Sequence, residues 1–412
     1  MGSLAEDALT KPRREAGPAG AGGVRRLLAS DSLRLALLLF VGLRLLLWVW
    51  PILVLAVRPL PGGSDEVVRP YLGEPRLDDG WPGLLLGPWQ RFDTQHYLRI
   101  ARQGYAEEAD SVFPPLYSWA IRGLGALLER AAGPQTANLL AALLLSNLAF
   151  VAAIALFYHL ARAEIGRPAA RRATVYLALF PTGFFLLAGY TESLFLLWAL
   201  AAVLSARRGR FWLAGAFALL ATWTRLTGAI LILPLAYEFL RQRPAGAGRQ
   251  ASAALAVSLP GLGTAGFLLY RAWLGLPALG EVYRQHWFQA TGVPGADLLR
   301  ALAQMFAGGA PFSLYFDFLC ALLLLITSLL AVRRLGATYG LYALGLLGFM
   351  LLPTSLLKPL YSFSRYALAF FPTFMLLGIA GRNPWLNRLI LYPSLALYLY
   401  FSGQFFMWGW VA

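Results

Sequence analysis

Apolar residues along this chain run in long blocks rich in Leu and Ala, cut by short polar stretches. Blocks that recur at the length needed to cross ~30 Å of hydrocarbon predict membrane helices. They lack the short apolar–polar alternation of barrel strands. Eleven spans can be placed, at about 33–57, 136–160, 173–187, 190–206, 211–224, 227–241, 251–274, 314–332, 337–352, 365–380 and 388–408. Several fall short of the ~20 residues of a straight span. The pairs 173–206 and 211–241 therefore read as hairpins with broken tips, which lipid permits only where protein or a water-filled cavity covers the backbone. The predicted fold is an all-α polytopic membrane bundle.

Composition agrees: of 412 residues, 58% are hydrophobic and 13% charged, against roughly a quarter charged in a soluble domain. Residues 1–30 are polar and rich in Gly, Ala and Pro, and predict a disordered cytoplasmic tail. The block at 33–57 is too long for a signal-peptide core and is expected to stay as an anchor. Cys320 is the single cysteine, so no disulfide framework is expected.

The net charge of +15 changes the picture only through its placement. Arginines concentrate in short turns at 161–172, 207–210, 241–249 and 333–334 and in the tail, all on one side of the alternation. That is the distribution of cytoplasmic loops, not of a nucleic-acid binder. The other side holds long loops at 58–135 and 275–313 and a short one at 353–364, with the N-terminus inside and the C-terminus outside. The first loop leans acidic, through Asp65, Glu66, Glu74, Asp78, Asp79, Asp93, Glu107, Glu108 and Asp110. Within it, 116–133 has apolar residues at helical spacing between Pro114-Pro115 and Gly133-Pro134, and predicts an amphipathic helix on the outer membrane surface. The only lysines are Lys11 and Lys358, an arginine bias that points to a GC-rich bacterial genome and its plasma membrane.

The densest polar cluster outside the spans is RFDTQHYLRIARQGY, 91–105. It predicts a short helix opened by Asp93, closed by Gly104, with Asp93, His96, Tyr97 and Ile100 on one face. Asp93 suits an N-cap and equally a general base for a hydroxyl at the water–lipid boundary; the roles are compatible. Arg225 at the tip of the second hairpin and Arg365 at the mouth of a later span, with Lys358 near it in sequence, share its side. Either arginine could snorkel; together they offer planar forks for phosphate oxygens. Arg44 lies mid-span and needs a partner or a polar cavity, for which Glu192 is available. His286, among Tyr283, Trp287 and Phe288, suits either an interfacial aromatic belt or a sugar platform. His159 ends a span on the cytoplasmic side and is incidental. One Cys and three scattered His exclude a soft-ligand metal site. The pair Asp78-Asp79 and the acidic run Glu107–Asp110 leave a hard cation open. No P-loop or Rossmann fingerprint is present, so no cofactor is expected and the substrate or a gradient must supply the energy.

In order along the chain, RFDTQHYLRIARQGY, SVFPPLY, LALFPTGFFLLAGYTESLFLLWALAAVL, TRLTG and SRYALAFFPTF resemble the PIG-V family, the second mannosyltransferase of GPI-anchor synthesis, and its bacterial relatives. The resemblance covers about 35–380 and implies a GT-C-type membrane glycosyltransferase. Family members carry Trp-Asp where this chain has Phe92-Asp93, and FFPLYP is looser here. The resemblance implies that Asp93 is the catalytic carboxylate, acting on the non-cytoplasmic face with a polyprenyl-phosphate-linked sugar, mannose, and a lipid-linked or other glycan acceptor. On that reading Arg225, Arg365 and Lys358 meet the donor phosphate. Gln95, His96, Tyr97, Glu192, His286 and Tyr366 are candidates for holding substrate. Asp93 and the arginines are expected to face each other across one sugar. A transporter or lipid flippase, and a non-catalytic assembly subunit, remain the competing classes. Polar groups gathered at one face in long loops favour chemistry on a membrane-anchored substrate over a midplane transport site.

Overall fold

The computed structural model describes residues 31–60, 62–64, 66–355 and 357–411. The expected tail, 1–30, and Asp65 lie outside the described residues. In chain order the helices are α1 (Asp31–Val57), α2 (Gly80–Leu85), α3 (Asp93–Gln103), α4 (Leu116–Ala132), α5 (Pro134–Ile165), α6 (Arg167–Ala178), α7 (Glu192–Arg207), α8 (Phe211–Thr224) and α9 (Ile232–Gln242). There follow α10 (Ala247–Trp273), α11 (Leu279–Trp287), α12 (Ala296–Ala307), α13 (Phe312–Arg334), α14 (Ala337–Leu351), α15 (Phe363–Tyr366), α16 (Phe371–Ala380) and α17 (Pro384–Phe406). Two short strands, β1 (Ala290–Thr291) and β2 (Pro353–Thr354), pair antiparallel.

The protein is an integral membrane bundle, and helix length and composition among the described residues bear out only part of the eleven expected spans. Among the described residues, five helices (α1, α5, α10, α13 and α17) are long and apolar enough to cross. A sixth span results if Phe363–Ala369 and Phe371–Ala380, bent by 83°, count as one. The straight span expected at 365–380 breaks at Phe370, because Pro372 in the first turn of α16 lacks the N–H that would continue the earlier helix. The other predicted segments are helical but short. At 1.5 Å per residue, α6, α7, α8, α9 and α14, of 12, 16, 14, 11 and 15 residues, are each shorter than the hydrocarbon thickness.

The two hairpins do have broken tips. Between α6 and α7 the backbone leaves the helix through Pro181 and a single 3-10 turn, and every residue from 180 to 196 is buried. Between α8 and α9 it extends at Arg225, then tightens into a 3-10 turn over Leu226–Leu231. Protein covers both breaks, the condition under which non-helical backbone survives at membrane depth.

The Arg-rich turns meet at one end. Arg162 and Arg167 lie 3.8 and 2.9 Å from Asp31, Arg207 pairs with Glu164, and Arg208 lies 3.2 Å from His159. Glu192 and Arg207 open and close the same helix, so Glu192 stands at the other end with Arg225.

At that end the long loops fold onto one another. The amphipathic α4 packs on α5 and buries Tyr117, Ser118, Ile121 and Gly125. The Trp287 indole donates to the Ala109 carbonyl at 3.0 Å, Arg271 reaches the Ser111 carbonyl, and His286 lies 3.5 Å from Glu108. The buried Asp110 carboxylate takes His96 at 2.6 Å and both arms of Arg99 at 2.7 Å. Burial pushes the Asp110 carboxyl up, but the bonds from His96 and Arg99 outweigh it and hold it below the usual carboxylate range.

A Cβ on Gly215 of α8 would collide with the Ala256 carbonyl oxygen of α10. Gly215→Val is therefore expected to cost ~1–3 kcal/mol and lower the melting temperature in detergent. Gly348→Ala, at a site open to a methyl group, should not lower it. Asp110→Asn should cost ~3 kcal/mol at pH 7 by leaving Arg99 without its buried partner. A depressed carboxylate stabilises above its unfolded pKa and loses that contribution as pH falls through its folded value. The gap in melting temperature between wild type and Asp110→Asn should thus be full at neutral pH and close only below about pH 4. A gap independent of pH would rule out the carboxylate as its source.

Candidate active site

Asp93 is the first residue of α3, and the residue before it is wound the wrong way. Phe92 has φ +48, in the left-handed region that a bulky residue rarely adopts. Its ring is held among Phe405, Trp408 and Trp410, at centroid distances of 5.8, 5.4 and 5.6 Å. This packing over-determines the turn. The Asp93 backbone N–H donates to the Tyr190 hydroxyl at 3.2 Å. No side chain caps α3, so the N-cap reading of Asp93 is corrected: its carboxylate is engaged elsewhere.

That engagement is with Arg365, whose Nη1 donates to Asp93 Oδ2 at 2.7 Å. Arg365 Nε lies 3.5 Å from Glu192 Oε1. The same Glu192 oxygen accepts from Arg225 Nη1 at 2.5 Å. Arg225 also donates to the Thr191 hydroxyl, at 3.3 Å. Both guanidinium groups lie over the Tyr366 ring, 4.8 Å for Arg225 and 5.2 Å for Arg365. Four charges thus form one chain, Asp93–Arg365–Glu192–Arg225, drawn from α3, α15, α7 and the broken tip after α8. Asp93 and Arg365 touch here, so a group could lie between them only after they part.

The expected Arg44–Glu192 pair does not form either. Arg44 donates to Asn147 and, at 2.7 Å, to the Leu187 carbonyl. Glu192 sits at the start of α7, where the two arginines of the site reach it first.

Above this chain opens a cavity of about 430 Å³, within the range of small-molecule sites. Asp93, Tyr97, Arg225, Arg365 and Tyr366 line it. Leu226, Leu279, Phe349, Met350 and Leu352 make its apolar wall. The β1–β2 ribbon lies on its rim through Ala290, Thr291, Pro353 and Thr354. Glu192 lies behind, with both arginines, around a second cavity of about 20 Å³. The Tyr97 hydroxyl is 3.2 Å from that of Thr191. Burial, reinforced by the Asp93 and Glu192 carboxylates, pushes Tyr97 well up, so it stays a neutral donor.

Four other candidates stand off the cavity. Gln95 is fully buried and donates to the Gln90 carbonyl at 2.8 Å. His96 turns to Asp110, between the rings of Phe113 and Trp287. Lys358 holds its ammonium 3.8 Å above the Trp410 ring, and burial lowers its pKa. His286 lies beside Glu108. Among the described residues, no three His, Cys, Asp or Glu side chains gather as a metal site. The sequence reading passed over Asp297, which lines the cavity and accepts from the Ser355 N–H at 3.0 Å and from Arg300 at 2.9 Å. Tyr283, read in the sequence only as an aromatic neighbour of His286, stands on the cavity wall. Asp297 opens an amphipathic helix, where an acid is ordinary; nothing in its pattern singles it out.

Comparison with known proteins adds the following. The sequence model of the mannosyltransferase (PIG-V) family matches residues 36–239. GPI alpha-1,6-mannosyltransferase 2 of Cricetulus griseus is 34% identical over 152 residues, 36% of this chain and 31% of that protein. Its counterpart in Mus musculus is 34% identical over 172 residues, 40% of this chain and 35% of that protein. The chain therefore spans about a third of the length of the curated relatives it matches. Among solved structures, ArnT from Cupriavidus metallidurans in the apo state is 17% identical with a TM-score of 0.46, over 90% of this chain and 75% of that one. ArnT bound to undecaprenyl phosphate is likewise 17% identical, with a TM-score of 0.44 over 94% and 77%. The stretch matched by the mannosyltransferase (PIG-V) model, residues 36–239, holds Asp93, Glu192 and Arg225.

Proposed function

We propose that the protein is an inverting, GT-C-type membrane glycosyltransferase. It moves a sugar from a polyprenyl-phosphate donor to a hydroxyl of a lipid-linked or other glycan acceptor, at the extracytoplasmic face of a bacterial plasma membrane. The observation that carries this reading is the Asp93–Arg365 contact at 2.7 Å on the floor of a cavity that Arg225 also lines. Mannose as the sugar is supported by the family match and by the relatives named GPI alpha-1,6-mannosyltransferase 2. The outward face is supported by the Arg-rich turns at the opposite end.

The donor phosphate enters between Arg365 and Arg225 and takes the guanidinium fork that Asp93 now holds. Asp93, released, accepts the proton of the acceptor hydroxyl. The acceptor oxygen bonds to the anomeric carbon as the carbon–phosphate oxygen bond breaks, and the electron pair leaves with the phosphate. Arg365 and Arg225 meet the second negative charge that develops there, and such fixed electrostatics contribute heavily to catalysis. Attack from the face opposite the leaving group inverts the centre, so a β-linked donor gives an α-linked product. Tyr97 and Tyr366, neighbours of the charges on the cavity lining, are placed to touch the sugar.

Purified protein in lipid nanodiscs, given polyprenyl-phosphate mannose and a glycolipid acceptor, tests this. Asp93→Asn should insert normally and lose transfer by ~10²-fold or more. Arg365→Ala should raise the donor KM and lower kcat, by ~10²-fold in kcat/KM. Wild-type turnover by Asp93→Asn ends the base assignment. Movement of lipid across a liposome without a new glycosidic bond would return the transporter reading.

A further inference from the structure

We propose that Asp317 and Thr182 are positioning residues that clamp the backbone at Ser364 and so aim Arg365 into the cavity. This rests on the reading of Arg365 as the donor-phosphate group.

Asp317 is the one charged residue of α13 before Arg333, in an otherwise apolar helix of 23 residues, and it is buried. A carboxylate there is costly and calls for a partner. Its partner is a backbone group: Asp317 Oδ1 accepts the Ser364 N–H at 2.7 Å. The Ser364 carbonyl accepts from the Thr182 hydroxyl, also at 2.7 Å. Thr182 stands on the buried tip between α6 and α7, just after Pro181, with no exposed surface. Side chains from two separate elements therefore take both peptide groups of the residue next to Arg365.

The local backbone explains the need. α15 is four residues long and begins just after Ser362, which is left-handed at φ +62. The first N–H groups of any helix lack helical acceptors, and a helix this short has almost no hydrogen bonds of its own to hold its direction. The chain then bends by 83° into α16. With so few backbone bonds of its own, this segment leans on outside bonds and packing for its direction. With them, the guanidinium reaches Asp93 at 2.7 Å and approaches Glu192 at 3.5 Å. A displacement of ~1 Å at such a centre costs orders of magnitude in rate.

The test is a double-mutant cycle on the purified full chain in detergent, reading affinity for undecaprenyl phosphate and transfer kinetics. Asp317→Leu should weaken undecaprenyl phosphate binding about tenfold and raise the donor KM while leaving the acceptor KM unchanged. Asp317→Asn, whose amide oxygen still accepts the Ser364 N–H, should recover most of that loss. Thr182→Val, isosteric but without the hydroxyl, should weaken binding several-fold, and it carries the same cycle if Asp317→Leu does not fold. On an Arg365→Ala background neither Asp317→Leu nor Thr182→Val should weaken binding further. The same loss on both backgrounds, or wild-type affinity in Asp317→Leu and Thr182→Val, overturns the inference while a wild type that transfers sugar leaves the transferase reading standing. A wild type that neither binds undecaprenyl phosphate nor transfers sugar overturns the reading of Arg365, and the inference with it.

Discussion

Two carboxylates and two guanidinium groups share one largely buried corner of the bundle, and only their mutual neutralisation makes that corner tolerable. A lone charge taken from water into apolar protein costs several kcal/mol. Asp93 and Glu192 balance Arg365 and Arg225 through contacts of 2.7, 3.5 and 2.5 Å. Neutrality has a consequence for ligands. An added phosphate makes the corner net negative unless one carboxylate gives up its charge or its place. Glu192 lies behind both arginines, whereas Asp93 lines the open cavity. Asp93 is the group that can yield.

On the transferase reading this ties donor binding to base activation. The phosphate and Asp93 compete for Arg365, so the donor that needs a base also releases one. As the acceptor proton moves to Asp93, that carboxylate loses its charge and its claim on the guanidinium. The phosphate gains its second charge at the same moment. The electrostatic contact with Arg365 thus strengthens toward the transition state rather than only in the bound complex, the condition for raising kcat.

Which parts of this were legible in the sequence follows from what each signal measures. Arg225 and Arg365 stand out because charge is scarce at the edges of the apolar blocks, and Asp93 because it opens the densest polar cluster between them; the Arg-rich turns put all three on one side. The contact between Asp93 and Arg365 does not stand out, because it joins residues 272 positions apart. Block composition located the bundle helices but not always their length: α8 ends at Thr224 as placed, whereas Pro181 and Pro372 interrupt stretches that hydropathy alone runs on through. The Arg44–Glu192 pairing failed because hydropathy gives no depth or azimuth, and Arg44 found a carbonyl freed by a broken tip. Helical spacing put His96 on the face of Asp93, yet Asp110, fourteen residues from His96 and itself held by Arg99, drew its ring away. Asp317 was not singled out in the sequence; what it holds is a peptide N–H, which no side-chain pattern reports.

The broken backbone and the charged corner are one feature. An unbroken helix in lipid spends every peptide group on itself and projects side chains only sideways. Each element that delivers a charge here is interrupted at that charge: the strained Phe92 before Asp93, the coil before Glu192, the extended Arg225, and the four-residue helix carrying Arg365. The interruptions free N–H and C=O groups that must be satisfied by protein. Tyr190 meets Asp93, Arg44 meets Leu187, and Thr182 and Asp317 meet Ser364. The buried polar residues around the site are therefore set by the same geometry that points four side chains at one cavity, and removing any of them would loosen a break before it emptied a core.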